Sequence, residues 1–311
     1  MGCWAIGGPY THQGSPCGWG DTDDQESVRT VRRALDLGVT LFDTAACYGA
    51  GHSERILGEA LAGRRDEAVI ATKFGHVFDE ETREALGDDP SPDNLRRSCE
   101  SSLGRLRTDR IDLLQFHCGG ADPSVGGELV PTLEALVDEG KIRAYGWSTD
   151  DPLRLAVFAR GPRCAAVQQQ LNVLEGNAET LAMAEEQDLA SLNRGPLAKG
   201  LLTGKFRKGD RLPENDVRHR WDTDSGVIGL AIDTVDALRE VLTSDGRTPA
   251  QGALAWLWAR SPATIPIPGA KSVAQIEDNA GAMAKGPLSA AQMRQIEDIL
   301  RDAGWERRRF A

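Results

Sequence analysis

Apolar residues along this chain follow two alternating patterns: short continuous runs, and longer stretches in which they recur every three or four positions. The runs span Val39 to Phe42, Ala68 to Ala71, Ile111 to Leu114 and Ile142 to Tyr145, then Ala165 to Val167, Leu189 to Leu192 and Thr264 to Ile267. None shows strict polar alternation, which predicts parallel strands covered on both faces. The intervening stretches carry helix signals. Asp21 to Asp24 precedes Val28, Val31, Ala34 and Leu35, and Gly38 closes the stretch. Ser91 and Pro92 supply a cap and a first-turn proline ahead of Leu95, Cys99, Leu103 and Leu106. A further helix is predicted from Glu128 to Glu139, stopped by Gly140. With Gly2 to Ile6 as a first strand, the chain holds about eight strand-then-helix units and no linker. This predicts a single α/β domain over residues 1–311, a closed (β/α)8 TIM barrel rather than two Rossmann halves. Two segments break the rhythm, one between about Pro196 and Gly226 and one after Gly286, the latter a helical tail. Connections this long fold over functional sites.

Composition narrows the function classes. Of 311 residues, 40% are hydrophobic and 27% charged, enough for a sizeable core. A formal net charge of -11 argues against nucleic acid or an anionic membrane as the main partner. No apolar run approaches the roughly 18 residues of a membrane span, and no secretory signal is visible, so a cytoplasmic location is expected. The six cysteines (Cys3, Cys17, Cys47, Cys99, Cys118, Cys164) form no CxxC pair and suit reduced, buried thiols. His12, His52, His76 and His219 fit no ligand spacing, so no metal is predicted.

In barrels the chemistry gathers at the C-terminal ends of the strands. There the chain carries Asp43 and Tyr48 after the first long run, Lys73 after the next and His117 after the third. Singly, Asp43 could be a turn former and Tyr48 a buried aromatic; together at consecutive strand ends they suggest catalysis. A phenol holds its proton near pH 10. A neighbouring ammonium favours the phenolate, and a carboxylate keeps that ammonium charged and in place. An imidazole donor can orient a carbonyl and stabilise the developing alkoxide. Hydride must then come from a nicotinamide. Cys118 beside His117 is a weak dyad, because neighbours on a strand face opposite sides.

The stretch Leu41-Phe42-Asp43-Thr44-Ala45-Ala46-Cys47-Tyr48-Gly49, with Ser53-Glu54 and Leu57-Gly58, resembles the signature of the aldo-keto reductase family. So do Ala71-Thr72-Lys73, Leu103 to His117, Gly146-Trp147-Ser148, Gly195-Pro196-Leu197 through Gly204-Lys205, and Ile267 to Ser272 with Asn279. In motif style it is most similar to the branch that includes potassium-channel β-subunit-like proteins and general oxidoreductases. The resemblance implies a barrel that binds NADPH across its mouth and reduces an aldehyde or ketone. It implies Tyr48 as the acid, Lys73 and Asp43 as its tuners and His117 as the carbonyl-orienting donor. It also implies Ser148 and Gln168 at the carboxamide, Trp4 and Arg194 beside the nicotinamide, and Cys3 and Thr149 among the cofactor-binding residues. Gly195, Pro196, Leu197, Gly200 and Lys205 would meet the pyrophosphate. Lys271 and Ser272 would meet the 2′-phosphate, with Gln275 and Asn279 toward the adenosine and Gly269 and Asp278 among the other cofactor-binding residues.

Three departures accompany the resemblance. Thr149 stands where asparagine is frequent, and Gln275 where some members carry arginine, which leaves NADH open as a second cofactor. The N-terminal hairpin that floors the barrel in other members is expected to be missing from this sequence, with either the floor covered differently or the start truncated. Trp4 is expected as a pocket wall, whereas Trp19 and Trp221 are either pocket walls or loop anchors. Arg307, Arg308 and Arg309 are either a solvated tail or a pocket-shaping one. Two other readings of the same site are a nicotinamide-binding regulator without turnover and a dedicated keto-sugar reductase or epimerase. Oligomeric state is open.

Overall fold

The computed structural model describes residues 1–306; the basic tail Arg307 to Arg309 lies outside them. The elements are β1 (Thr11–His12), β2 (Ser15–Pro16), α1 (Asp24–Asp36), β3 (Leu41–Asp43), α2 (His52–Ala60), β4 (Val69–Phe74), β5 (His76–Asp79) and β6 (Glu84–Asp88). There follow α3 (Pro92–Leu106), β7 (Ile111–Phe116), α4 (Pro123–Asp138), β8 (Ile142–Ser148), α5 (Pro152–Phe158), β9 (Cys164–Gln170) and α6 (Ala178–Glu186). The last are β10 (Ala190–Arg194), α7 (Gly226–Thr243), α8 (Pro249–Arg260), β11 (Thr264–Pro266), α9 (Val273–Gly281) and α10 (Ala290–Asp302).

Seven parallel strands run in the order β3-β4-β7-β8-β9-β10-β11. Gly2 bridges Asp43 on one side and Gly269 on the other, both in parallel, and so joins the two edges. The result is the predicted (β/α)8 fold, but its first strand is far shorter than Gly2 to Ile6. After Cys3 donates to the Asp43 carbonyl at 2.7 Å, the chain turns into a 3-10 helix, Trp4–Ile6. This turn packs on the loop that carries Tyr48. A Cβ on Gly49 would lie 1.8 Å from the Gly7 carbonyl oxygen, so only glycine permits the approach.

The helix starts follow their caps. Asp23 accepts from Glu26 N at the start of α1, and Ser91 accepts from Asn94 N, with Pro92 opening α3. Helix α4 begins at Pro123, earlier than the Glu128 expected, because Asp122 caps it and Gly126 lies inside it. A side chain at Gly126 would run into the Trp147 ring at 2.2 Å. The glycine that obscured the helical pattern is what lets α4 lie against β8.

Inward-facing residues form layers, as the period of two along a strand requires. The lower layer holds Ala71, Leu113, Ala166 and Leu192, with Leu41, Ala144, Ala190 and Ile265 packed against them. Two residues further along β3, β4, β7 and β9 stand Asp43, Lys73, Gln115 and Gln168. Phe42, Ile70, Leu114, Phe116 and Trp147 face outward into the helix layer. A second sheet, with strand order β2-β1-β6-β5, has no counterpart among the predicted elements. Its strands are too short and polar to leave an apolar run. It starts immediately past the end of β4, beyond Gly75, and so stands at the C-terminal mouth.

Below the turn bearing Tyr48, Glu54 is fully buried. It accepts from Thr72 Oγ1 at 2.5 Å and from Arg105 Nε at 2.6 Å, which ties α2 to β4 and α3. Removing the cation strands a buried carboxylate. Arg105→Ala is expected to lower stability by about 3–5 kcal/mol, measured by urea denaturation; a change within experimental error would contradict this account.

Candidate active site

At the mouth of the barrel, the end of β4 carries the Lys73 ammonium into the polar layer, where both it and Asp43 are almost completely buried. Lys73 Nζ donates to Asp43 Oδ1 at 2.6 Å, to the Thr44 carbonyl at 2.8 Å and to Tyr48 Oη at 3.3 Å. The other carboxylate oxygen, Asp43 Oδ2, accepts from Gln168 Nε2 at 2.7 Å and Gln115 Nε2 at 3.1 Å. Each buried charge is therefore both paired and hydrogen-bonded. Tyr48 stands over this pair, with Trp4 stacked on its ring at 5.7 Å and the His117 ring edge-on at 6.1 Å.

Burial, reinforced by the Asp43 charge, holds the Tyr48 phenol well above its ordinary pKa near 10. The Arg194 guanidinium acts in the opposite sense without reversing it. The outcome differs from the lowered phenol expected from charge proximity alone: desolvation of the phenolate is the larger effect. His117 is displaced the other way, well below 6.5, first by burial and then by the His76, Lys73 and Arg194 charges. Its imidazole is neutral at pH 7. Its Nδ1 lies 3.7 Å from Cys47 Sγ, and the His76 ring sits 4.6 Å away, centroid to centroid.

These groups open on a cavity of about 950 Å³ that runs from His76 and Asp88, past Tyr48 and His117, to Gln275 and Asn279. Its far half is basic. Arg194, Lys199, Lys205, Arg218 and Lys271 all line it. Burial lowers the pKa of Lys199, Lys205 and Lys271; Glu175 opposes this at Lys199 and Asp216 at the other two, while Arg218 adds to it at all three. Crowded cations that repel one another suit an anionic ligand.

Over residues 1–301 the chain matches the model of the aldo/keto reductase family. The chain belongs to this family. It is 33% identical over 287 residues to the aldo-keto reductase YhdN of Bacillus subtilis, covering 89% of this chain and 82% of that one. The structure is similar to that of the glycerol dehydrogenase AKR11B4 from Gluconobacter oxydans, at TM-score 0.84 and 32% identity, covering 100% and 93% of the two chains. It is also similar to an aldo-keto reductase from Klebsiella pneumoniae in complex with NADPH, at TM-score 0.68 and 27% identity, covering 92% and 88%. This aldo/keto reductase is thus an oxidoreductase, and among its described residues no helix is long and apolar enough to cross a membrane.

The residues singled out from the sequence of this reductase fall into two groups. Trp4, Trp19, Asp43, Tyr48, His117, Ser148, Gln168, Arg194, Gly195, Pro196, Leu197, Gly200, Lys205, Gly269, Lys271, Gln275, Asp278 and Asn279 all border the one cavity. Cys3 is instead fully buried with its thiol toward the Met1 carbonyl. Thr149 is buried and accepts from Asp151 N, and the Ser272 hydroxyl caps α9 by accepting from Gln275 N. Trp221 packs on Phe206 at 5.7 Å as a loop anchor, while Trp19 walls the cavity beneath the Arg218 guanidinium. Lys271 Nζ donates to the Trp19 and Asp21 carbonyls at 2.9 and 2.8 Å, which fastens the first loop across the groove.

Several functional residues were missed. Gln115 stands two positions before His117 on one strand, so the period of two could have found it. Cys17, Cys47 and His76 reach the cavity from turns and from the second sheet, and no local pattern announces them.

A histidine kept neutral by its surroundings charges more readily in the unfolded chain, where its pKa is near 6.5. Its stabilising contribution is complete above that pH and is lost as acid is added below it. Between about pH 7 and about pH 5, the protein is expected to lose more stability than His117→Asn, compared by urea denaturation at both pH values. Equal losses would contradict the neutral imidazole.

Proposed function

We propose that this aldo/keto reductase is an NADPH-dependent carbonyl reductase that converts an aldehyde or ketone to an alcohol. The observation that carries the reading is the chain of contacts from Asp43 through Lys73 to the Tyr48 hydroxyl, which ends in the cavity beside His117. The basic half of that cavity fits the phosphates of a dinucleotide, and the NADPH complex of the Klebsiella relative supports the choice of cofactor.

When bound, NADPH supplies a hydride to the carbonyl carbon. Tyr48 gives its proton to the carbonyl oxygen as negative charge develops there. The phenolate left behind faces the Lys73 ammonium, held in place by Asp43 and the Thr44 carbonyl. Water in the open cavity then returns a proton to Tyr48. A raised phenol pKa suits this direction, because the donor stays protonated throughout the neutral range. Neutral His117 offers one N–H to the carbonyl oxygen. Burial pushes the Cys47 thiol up to about 12, so it keeps its proton. Such a thiol donates to His117 Nδ1, which puts the ring proton on Nε2.

Two outcomes test the reading. Tyr48→Phe is expected to lower kcat for a generic aldehyde by about 10²–10⁴-fold while still binding NADPH, followed by fluorescence titration. NADPH bound without turnover by the unaltered protein on any carbonyl would overturn it. Lys271→Ala is expected to weaken NADPH relative to NADH by about tenfold, as for the loss of one charge-assisted hydrogen bond. An unchanged ratio of the two dissociation constants would remove Lys271 from 2′-phosphate recognition.

A further inference from the structure

Cys47, His76 and His117 come from separate segments: the turn after β3, the first residue of β5 and the residue after β7. They meet on one wall of the cavity. Cys47 Sγ lies 3.7 Å from His117 Nδ1, and one donor atom from each of the three lies within 4.8 Å of the others. Tetrahedral zinc holds a thiolate sulfur at about 2.3 Å and an imidazole nitrogen at about 2.0–2.1 Å, which sets a sulfur–nitrogen edge of about 3.5 Å. The Cys47–His117 edge already has that length, and the remaining gap closes with side-chain movement of about an ångström. Cys47 is buried and the two histidines are half-buried, with His76 at the rim of the cavity. Its Nδ1 is engaged by Asp88 Oδ1 at 2.5 Å, which leaves Nε2 for a cation. A carboxylate behind a ligating imidazole is the arrangement that fixes its ring and raises its basicity.

We propose that Cys47, His76 and His117 form a site for a thiophilic divalent cation of the Zn²⁺ type, with its fourth position open to the cavity and Asp88 as the outer partner of His76. The cation blocks carbonyl reduction by occupying His117, a consequence that rests on the reductase reading; the binding itself does not. On binding, the Cys47 thiol proton leaves to water and the sulfur lone pair forms the metal bond, with no change in oxidation state. A competing grouping shares His76 and Asp88 but uses Cys118. Cys118 does not border the cavity; its sulfur packs against Gly75, where a Cβ would meet it at 2.7 Å. Spacing along the chain gave no sign of either group, because their members lie on different elements.

The test uses Co²⁺ as a spectroscopic stand-in and Zn²⁺ as inhibitor, on the full chain. One Co²⁺ per chain with a thiolate charge-transfer absorption is expected, lost in Cys47→Ala and retained in Cys118→Ala. Inhibition by Zn²⁺ should be competitive with the carbonyl. Referred to each variant's own activity, half-inhibition should need at least about tenfold more Zn²⁺ in His76→Gln, and about 10–100-fold more in Asp88→Asn. Absence of the thiolate absorption, or its loss in Cys118→Ala instead, would overturn the site. So would Zn²⁺ sensitivity unchanged in both His76→Gln and Asp88→Asn. Metal binding with the expected absorption in a protein that reduces no carbonyl would uphold the site while removing the reductase reading.

Discussion

The ion pair between Lys73 and Asp43 is the interaction on which the rest of the site depends. Both groups are almost wholly out of water, where an unpaired charge costs several kcal/mol. Keeping them ionised there takes more than their mutual attraction at 2.6 Å. Two glutamine amides and a backbone carbonyl complete their hydrogen bonding. Those amides come from β7 and β9, so the charges are held by strands on several sides of the barrel. A closed sheet is what brings so many strand ends to one point. Tyr48 then borrows its setting from the pair, with its oxygen at 3.3 Å from the ammonium.

Around this pair the protein keeps two ionisable groups uncharged by the same means. Desolvation raises Tyr48 and lowers His117, so that a phenol and a neutral imidazole face the cavity together. Such a pair can donate to an oxygen that gains negative charge, and neither donor need be a cation. The neighbouring half of the cavity has the opposite character, with arginine and lysine side chains crowded along a groove on a protein of net charge -11. Local field and overall charge thus have opposite signs, and the groove keeps its preference for anions despite the acidic surface.

The second sheet gives the mouth its individuality. It places His76 against His117 and puts β1 and β2 beside the loop carrying Trp19. Lys271 holds that loop from the other side through two carbonyls. The barrel strand ends supply Asp43, His117, Ser148 and Gln168 to the cavity, while one part of its wall comes from these short polar segments. That division follows from physics: strands buried on both faces tolerate little change, whereas exposed turns accept it freely.

The sequence alone determined the barrel, because seven strands buried on both faces must be apolar runs and the helices between them must repeat every three or four residues. It also located Asp43, Lys73 and His117 at strand ends, where position in the chain and position in the barrel coincide. Tyr48 was legible for a similar reason, a few residues past its strand. Tertiary structure decided the rest. Gly2 to Ile6 is not a full strand, since the chain must turn at Trp4 to pack on the Tyr48 loop through Gly7 and Gly49. The direction of the Tyr48 shift depends chiefly on burial, which only the folded mouth of the barrel supplies. Cys47, His76 and Asp88 converge from three elements whose spacing along the chain carries no common period. Local patterns record which face of a strand or helix is covered; they do not record which distant segment covers it.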